Sequence, residues 1–440
     1  MNNKTTNPRR AALDSLIAAE RDGRYSNLEI NASIGRSDMT PADRGLYTRL
    51  VYGVIERRLT LDHVIGKFSK IPPAQLDEDV LNALRLGLYQ LLWMDRVPDH
   101  AAVSETAALV QKSKVGYVNA VLRTFLRAGK QIAYPPVTDF YRYCEVKYSV
   151  PAETVRFFEE SCGVAREETE EFLAAMNREP HIALRVNRLK LTAEEAAAKC
   201  GGAVSESAPD IVLTDALDDT VKAGLADGGW FVQDEASRIV SAALGAQPGE
   251  TVVDTCACPG GKSFSIAIDM HNEGAVYSYD LHKNKLSLIE KGAEKLGITV
   301  IRTETRDARK PDEALAGKAD RVLCDAPCSG LGVIAKKPDI RYNNLDDIAR
   351  LPEIQYGILC GASTYVRPGG VLVYSTCTVN RAENEDVVNK FLAEHEDFTL
   401  VDDTYLPGGM RTFMPHRDGC DGFFGAKMIR KSSEFCKHIR

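Results

Sequence analysis

No stretch of the 440-residue sequence reaches the roughly 18 consecutive apolar residues that a membrane span requires. Residues Met1 to Thr6 are polar with no apolar run behind them. No secretory leader and no membrane partner are therefore expected, and the chain is read as soluble and cytoplasmic. No internal repeat is visible, which excludes solenoids and propellers. An excess of positive charge is missing too: 55 Lys+Arg against 62 Asp+Glu leave a net charge of −7. Taken whole, that balance argues against a nucleic-acid binder. With 44% hydrophobic and 27% charged residues, the composition excludes a disordered chain, collagen and a disulfide mini-scaffold. The 11 cysteines are odd in number and spread from Cys144 to Cys436. In a reducing compartment such cysteines are catalytic, metal-binding or buried rather than disulfide-bonded.

Counting charge by segment changes the picture. Residues 1–150 carry 21 basic and 16 acidic residues (+5), residues 151–240 carry 9 and 18 (−9), and residues 241–440 carry 25 and 28 (−3). A basic first third suits a polyanion-binding module attached to something else, although an uneven distribution without meaning fits the same count. Apolar periodicity predicts a helical bundle over 8–130, within a domain expected over 1–140. Its clearest helix is Asp79–Met94, with Val80, Leu81, Leu84, Leu88, Leu91 and Leu92 as the stripe and Asp77, Glu78 and Asp79 at its start. A second helix, Tyr117–Leu126, turns Val118, Val121, Leu122 and Phe125 inward and sets Arg123 and Arg127 on another face, as solvated charges or as an RNA-phosphate surface. From Tyr134-Pro135-Pro136 to Pro151 the chain reads as a linker. A small α+β domain is expected over 150–225, with strands at Ile182–Val186 and Ile211–Leu213.

Over 226–440, strand-like runs alternate with helical stretches, the pattern of a mostly parallel α/β sheet. Seven strands are predicted, at Thr251–Thr255, Ala275–Asp280, Thr299–Thr303, Arg321–Asp325, Val371–Thr376, Phe398–Val401 and Gly422–Ile429, the last two closing the sheet as an antiparallel hairpin. In such sheets ligands bind beyond the carboxyl ends of the strands. The first strand runs into Cys256-Ala257-Cys258-Pro259-Gly260-Gly261-Lys262, where two glycines allow a tight turn ahead of a helix N-terminus. This is neither a Walker A loop nor a complete GxGxxG. Asp280 ends the second strand where it could accept both ribose hydroxyls of a nucleoside, and Asp307 follows the third, as a contact to the base or as an ordinary turn residue. The fourth strand ends in Asp325-Ala326-Pro327-Cys328 and the fifth in Ser375-Thr376-Cys377, so both cysteines are aimed at the same crevice. A helix predicted over Ala382–Leu392 would favour the Cys377 thiolate through its dipole. A four-sulfur zinc site from Cys256, Cys258, Cys324 and Cys328 is disfavoured by spacing, so no metal is expected. A redox disulfide between Cys328 and Cys377 is also weighed.

These runs, with Lys336-Lys337-Pro338-Asp339-Ile340-Arg341, Glu383-Asn384-Glu385, Gly229–Ser237 and Asp421-Gly422-Phe423-Phe424, resemble the NOL1/NOP2/Sun RNA cytosine-5 methyltransferases. Tyr117–Arg123 is similar to the NusB-type signature, so the resemblance spans essentially the whole chain. It implies a NusB-like RNA-binding bundle, a joining domain and a Rossmann-like methyltransferase, acting with S-adenosyl-L-methionine on a cytosine of 16S rRNA as a monomer. It assigns Cys377 as the nucleophile at C6 and gives Cys328 a part in releasing the product. Asp325 and Lys262 would lie in the catalytic pocket. The loop Cys256–Lys262, Asp280, Asp307 and Asp325 would hold the cofactor, while Lys336, Lys337, Arg341, Arg123 and Arg127 would meet RNA. The family usually has alanine where Cys258 stands, a small replacement compatible with cofactor binding. Three alternatives stay open: Cys328, in its Pro-Cys pair, as the nucleophile; a transfer-RNA substrate; and a non-catalytic RNA-binding assembly or antitermination factor.

Overall fold

The computed structural model describes residues 6–22, 33–34 and 38–432; the polar run up to Thr5 and Cys436 lie outside the described residues. The chain divides into two compact units. The first comprises Met1–Glu160, Val164–Asn177 and Lys336–Asn343, and the second Ser161–Gly163, Arg178–Ala335 and Asn344–Arg440. The stretch 150–225 therefore contributes helices Ala152–Ser161 and Thr169–Ala175 largely to the first unit and its strands to the second.

The first unit is helical. Its central helix, Glu78–Trp93, starts with the acidic residues that complement a helix N-terminus. It buries Val80, Leu84, Leu88 and Leu91 of the expected stripe, and also Asn82, Arg85 and Leu86. A helix buried around most of its circumference must neutralise any charge it carries inward. Arg85 does so with a two-pronged pair to Asp62, at 2.7 and 2.8 Å, and a further bond to Glu20. The helix Lys112–Arg127 buries Val118, Val121, Leu122 and Phe125 and leaves Arg123 and Arg127 exposed.

Two expectations are corrected here. The stretch after Tyr134-Pro135-Pro136 is not all linker: Phe140–Tyr148 is a helix that buries Cys144, Val146 and Tyr148, too short for its periodicity to stand out among aromatic residues. Arg341, expected to grip phosphates, has no exposed surface. Its Nη1 donates to the carbonyls of Glu56 (3.0 Å) and Tyr148 (3.2 Å), the last residues of helices Pro41–Glu56 and Phe140–Tyr148, and to Asn177 Oδ1 (3.0 Å). Final helical carbonyls lack partners within the helix and sit at the negative end of its dipole, so one buried guanidinium serves two helix ends. Beside it the Tyr342 hydroxyl donates to the Ile55 carbonyl (2.9 Å), and the Arg58 guanidinium lies 3.6 Å from the Tyr342 ring centre.

The second unit holds two sheets. In the smaller, strands β1 (Ile182–Val186), β2 (Ala203–Val204), β3 (Ile211–Thr214) and β4 (Trp230–Val232) run antiparallel in the order β2-β3-β1-β4. The larger contains β5 (Thr251–Asp254), β6 (Ala275–Asp280), β7 (Ile301–Thr305), β8 (Ala319–Asp325), β9 (Val366–Thr376), β10 (Phe398–Leu400), β11 (Met410–Phe413) and β12 (Phe423–Arg430). Its order is β10-β12-β9-β8-β5-β6-β7, with β11 also pairing β12. Strands β5 to β9 are mutually parallel, as the sequence pattern implies, and β12 pairs antiparallel with both β9 and β10. The sheet has eight strands rather than seven. The additional one, β11, is four residues long, with Arg411 exposed, and no alternation marks it in the sequence. Helices Gly261–Asp269, Lys283–Leu296 and Leu351–Ser363 follow β5, β6 and β8, and Val371 to Thr376 of β9 are all buried, as a strand covered on both faces requires.

Replacing Arg341 by Ala strands the carbonyls it serves. It is expected to destabilise the first unit by about 3 kcal/mol, read from chemical denaturation of the full chain.

Candidate active site

Each predicted site residue of the second unit lies at or shortly past the carboxyl end of one of the parallel strands. Thr255 to Gly261 follow β5, Asp280 ends β6, Asp307 stands two residues beyond β7, Cys328 three beyond β8, and Cys377 directly follows β9. Lys336, Lys337, Arg341, Arg123 and Arg127 belong to the first unit. Of these, Lys337, Arg123 and Arg127 are exposed and Lys336 is half-buried.

The β5 loop is shaped by glycine. Gly260 has φ +113°, a conformation that L side chains rarely adopt, and a Cβ there would stand 2.5 Å from the Phe264 ring. Gly261 opens the helix Gly261–Asp269, and a Cβ at its position would meet nothing within 4 Å. Open space at a helix start, where free backbone N–H groups gather, is suited to a polar or anionic ligand group. Beneath the loop, Asp254 accepts a hydrogen bond from Ser263 Oγ (2.6 Å), while its Oδ1 is buried without a partner. Burial pushes this carboxyl up to about 7. Asp280 accepts from the backbone N–H groups of Cys258 (3.3 Å) and His282 (2.9 Å), which ties the loop to the end of β6. Burial, followed by the Asp280 charge, pushes the Cys258 thiol up to about 12, so the extra sulfur in the loop stays protonated at neutral pH. Asp307 is half-buried and holds Arg309 at 2.8 and 3.0 Å, which keeps its carboxylate below the usual range.

Strands β8 and β9 pair in parallel with Cys324 opposite Tyr374 and Asp325 opposite Ser375. That register carries the two following loops side by side. The Gly332 N–H donates to the Cys377 carbonyl (3.1 Å), and the Cys328 and Cys377 sulfurs are 3.1 Å apart as free thiols. The Cys328 thiol is pushed well above its ordinary value, first by its hydrogen bond with Cys377 and then by burial. Asp325 takes one donor on each oxygen, Lys262 Nζ at 2.6 Å and Ser375 Oγ at 2.7 Å. The Lys262 side chain, 12% exposed, also faces the Phe423 ring at 4.8 Å. The site thus contains a thiol pair, an ion pair and a glycine-shaped loop along one sheet edge.

Sequence reasoning missed the polar frame behind the thiols. Glu383, which is fully buried, binds Ser329, Gln355 and Asn380, while Ser329 Oγ also meets Thr378 Oγ1 at 2.8 Å. The readable signal was Gln355, which interrupts the buried face formed by Ile358, Leu359 and Ala362 in its helix. Gln233 was also missed as a site residue. It accepts from Ser265 Oγ (2.6 Å) and donates to the Gly261 carbonyl (3.4 Å), linking the chain after β4 to the helix Gly261–Asp269.

Comparison with known proteins gives this edge a context. The family model for 16S rRNA methyltransferase RsmB/F matches residues 241–429, and the NusB family model matches residues 6–127. A protein of Bacillus subtilis (strain 168) named probable ribosomal RNA small subunit methyltransferase B is 38% identical over 450 residues, covering 97% of this chain and 100% of its own. The chain belongs to the 16S rRNA methyltransferase RsmB/F family. A ribosomal RNA small subunit methyltransferase B from Pseudomonas syringae pv. tomato is 32% identical, with 97% of this chain and 98% of that one covered. Among solved structures, PH0851 superposes with a TM-score of 0.78 at 28% identity over 97% of this chain and 100% of its own. S-adenosyl-L-methionine is the methyl donor of this family, and the open helix start at Gly261 beside Asp280 fits a ligand with carboxylate, amine and ribose groups. Among the described residues, no helix is long and apolar enough to cross a membrane.

Two outcomes follow from the loop. Gly260→Ala is expected to weaken S-adenosyl-L-methionine binding at least about tenfold by calorimetry, because the strain and the Phe264 clash together exceed ~1.4 kcal/mol. A carboxyl raised to about 7 binds its proton more tightly in the folded chain. The stability it contributes is therefore lost as pH rises from about 4 to 7. Asp254→Asn should flatten that part of the stability profile, measured by denaturant unfolding across the range.

Proposed function

We propose that this chain methylates C5 of a cytosine in 16S rRNA through a covalent adduct between Cys377 and C6 of the base. The observation that carries the reading is the thiol pair at the ends of β8 and β9, in which Cys328 holds its proton beside Cys377. C5 of cytosine is a weak nucleophile. When the Cys377 thiolate forms a bond to C6, the electron pair of the C5–C6 double bond becomes available at C5. S-adenosyl-L-methionine, when bound, supplies an electrophilic methyl group. Loss of the C5 proton to a base then re-forms the double bond and expels Cys377 as thiolate.

Cys328 is suited to that last stage. The largest cause of its raised proton affinity is its hydrogen bond with Cys377, a contact that changes once the Cys377 sulfur is tied up as a thioether. Cys328 then becomes easier to ionise just when a base is needed. Asp325, which binds Lys262 and Ser375, would meet the N3/N4 edge of the pyrimidine, where a proton shared with N3 would offset the negative charge that builds as the thiolate adds. The backbone of Cys256–Lys262 would hold the methionine part of the cofactor, Asp280 the ribose and Asp307 the adenine amine. A stacked base cannot reach such a site, so the target cytosine is unpaired or flipped out. Arg123 and Arg127, exposed in the basic stretch 1–150, and Lys337, also exposed, would be phosphate contacts.

Bisulfite sequencing of rRNA and tRNA from a deletion strain tests the reading. One 16S cytosine should lose its methyl group, regain it with the wild-type gene and fail to regain it with Cys377→Ala. Cys328→Ala should accumulate protein–RNA adduct on denaturing gels. Unchanged 16S methylation in the deletion strain, or loss confined to tRNA, contradicts the proposal.

A further inference from the structure

We infer that Glu383 is a positioning residue for the two-thiol site: its buried carboxylate clamps the Cys328 and Cys377 loops together and sets the electrostatic surroundings of Cys328. This rests on the reading of Cys377 as the nucleophile and extends it to the group that sets the division of labour.

Glu383 lies six residues past Cys377, in the short turn Arg381–Glu383, and is fully buried. Its Oε1 accepts from Ser329 Oγ (2.6 Å) and Asn380 Nδ2 (2.9 Å), and its Oε2 from the Ser329 N–H (2.9 Å) and Gln355 Nε2 (2.9 Å). Ser329 directly follows Cys328. Asn380 and Thr378, the latter bonded to Ser329 Oγ, come from the loop that directly follows Cys377. One carboxylate therefore joins the residue next to one thiol to the segment that carries the other. Gln355 closes the frame by donating also to the Pro327 carbonyl (3.0 Å), and the Tyr374 hydroxyl donates to the Glu383 carbonyl (2.7 Å).

The four donors are all neutral amides, hydroxyls or backbone groups. A buried carboxylate needs such donors, and in a buried place it acts on its neighbours with little screening. The titratable groups that face it are thiols and a phenol: Cys328, Cys377 through Cys328, Tyr374 and the buried Cys162. The field of Glu383 opposes ionisation of Cys328, alongside the larger effects of Cys377 and burial. All four contacts are accepted by the two carboxylate oxygens, a pattern that an amide, with one oxygen and one NH2 group, does not reproduce. A carboxylate does something more, because it makes Cys328 both a hydrogen-bond donor to the Cys377 sulfur and a stronger base once its own proton has gone.

The experiment compares a change of charge with a change of geometry alone and does not need turnover. In a Cys377→Ser background, alkylation of Cys328 by iodoacetamide is followed by peptide mass spectrometry across the thiol titration range. Adding Glu383→Gln should speed Cys328 alkylation several-fold at a fixed pH. Adding Ser329→Ala instead keeps the charge and should not speed it. In otherwise wild-type protein, Ser329→Ala should slow adduct formation with 5-fluorocytidine-substituted 16S RNA about tenfold, because the loops lose one of their ties. An unchanged Cys328 alkylation rate in folded Glu383→Gln overturns the electrostatic role, and an unchanged adduct rate in Ser329→Ala overturns the clamp. If Glu383→Gln does not fold, the Ser329→Ala adduct rate decides alone. Failure of the wild-type protein to form any adduct counts against the proposed function, while the alkylation comparison still reports on Glu383.

Discussion

The parallel pairing of β8 with β9 is the constraint on which the site depends. Asp325 stands opposite Ser375 in that ladder, so the chains leave the sheet level with each other and their next few residues must share one small volume. A slip of one residue would turn alternate side chains to the other face of the sheet and separate the two sulfurs. The register is held from below by buried side chains and from above by the bonds that run between the loops, from Gly332 to Cys377 and from Ser329 to Thr378. The ion pair of Lys262 with Asp325 then connects this thiol corner to the glycine loop of β5, the neighbour of β8 on its other side.

The rest of the second unit supports that corner. Strands β5 and β6 set the glycine loop and Asp280 in adjacent positions. Gln233, just past the last strand of the smaller sheet, steadies the helix that begins at Gly261. Deeper in the same unit, Arg238 binds Asp210 and Asp269, and Arg185 joins the same two carboxylates. Such buried charges are tolerated because each finds several partners. In the first unit Arg341 plays a comparable part with carbonyls in place of carboxylates, and the segment that contains it follows the Cys328 loop directly in the chain.

Much of this was legible in the sequence. Alternating apolar runs located the five parallel strands to within a few residues, and the strand-end rule grouped Cys256–Lys262, Asp280, Asp307, Cys328 and Cys377 along one edge. The parts that were not legible have physical reasons. Strand β11 owes its existence to β12 rather than to its own four residues. The helix at Phe140–Tyr148 is too short to reveal a period. Arg341 looked like a surface cation because a basic residue after two lysines usually is one, and only the convergence of two helix ends accounts for its burial. Glu383 stood in plain view within a recognisable run, but its partners come from three separate segments, and no local pattern encodes their meeting.

The central claim is that Cys377, with its proton-holding neighbour Cys328, forms the bond to the base. A 16S RNA fragment carrying 5-fluorocytidine tests it directly, since the fluorine cannot leave as a proton and the adduct is trapped. Peptide mapping of the trapped complex should find RNA attached at Cys377. Attachment at Cys328, or no covalent complex in the presence of S-adenosyl-L-methionine, contradicts the account.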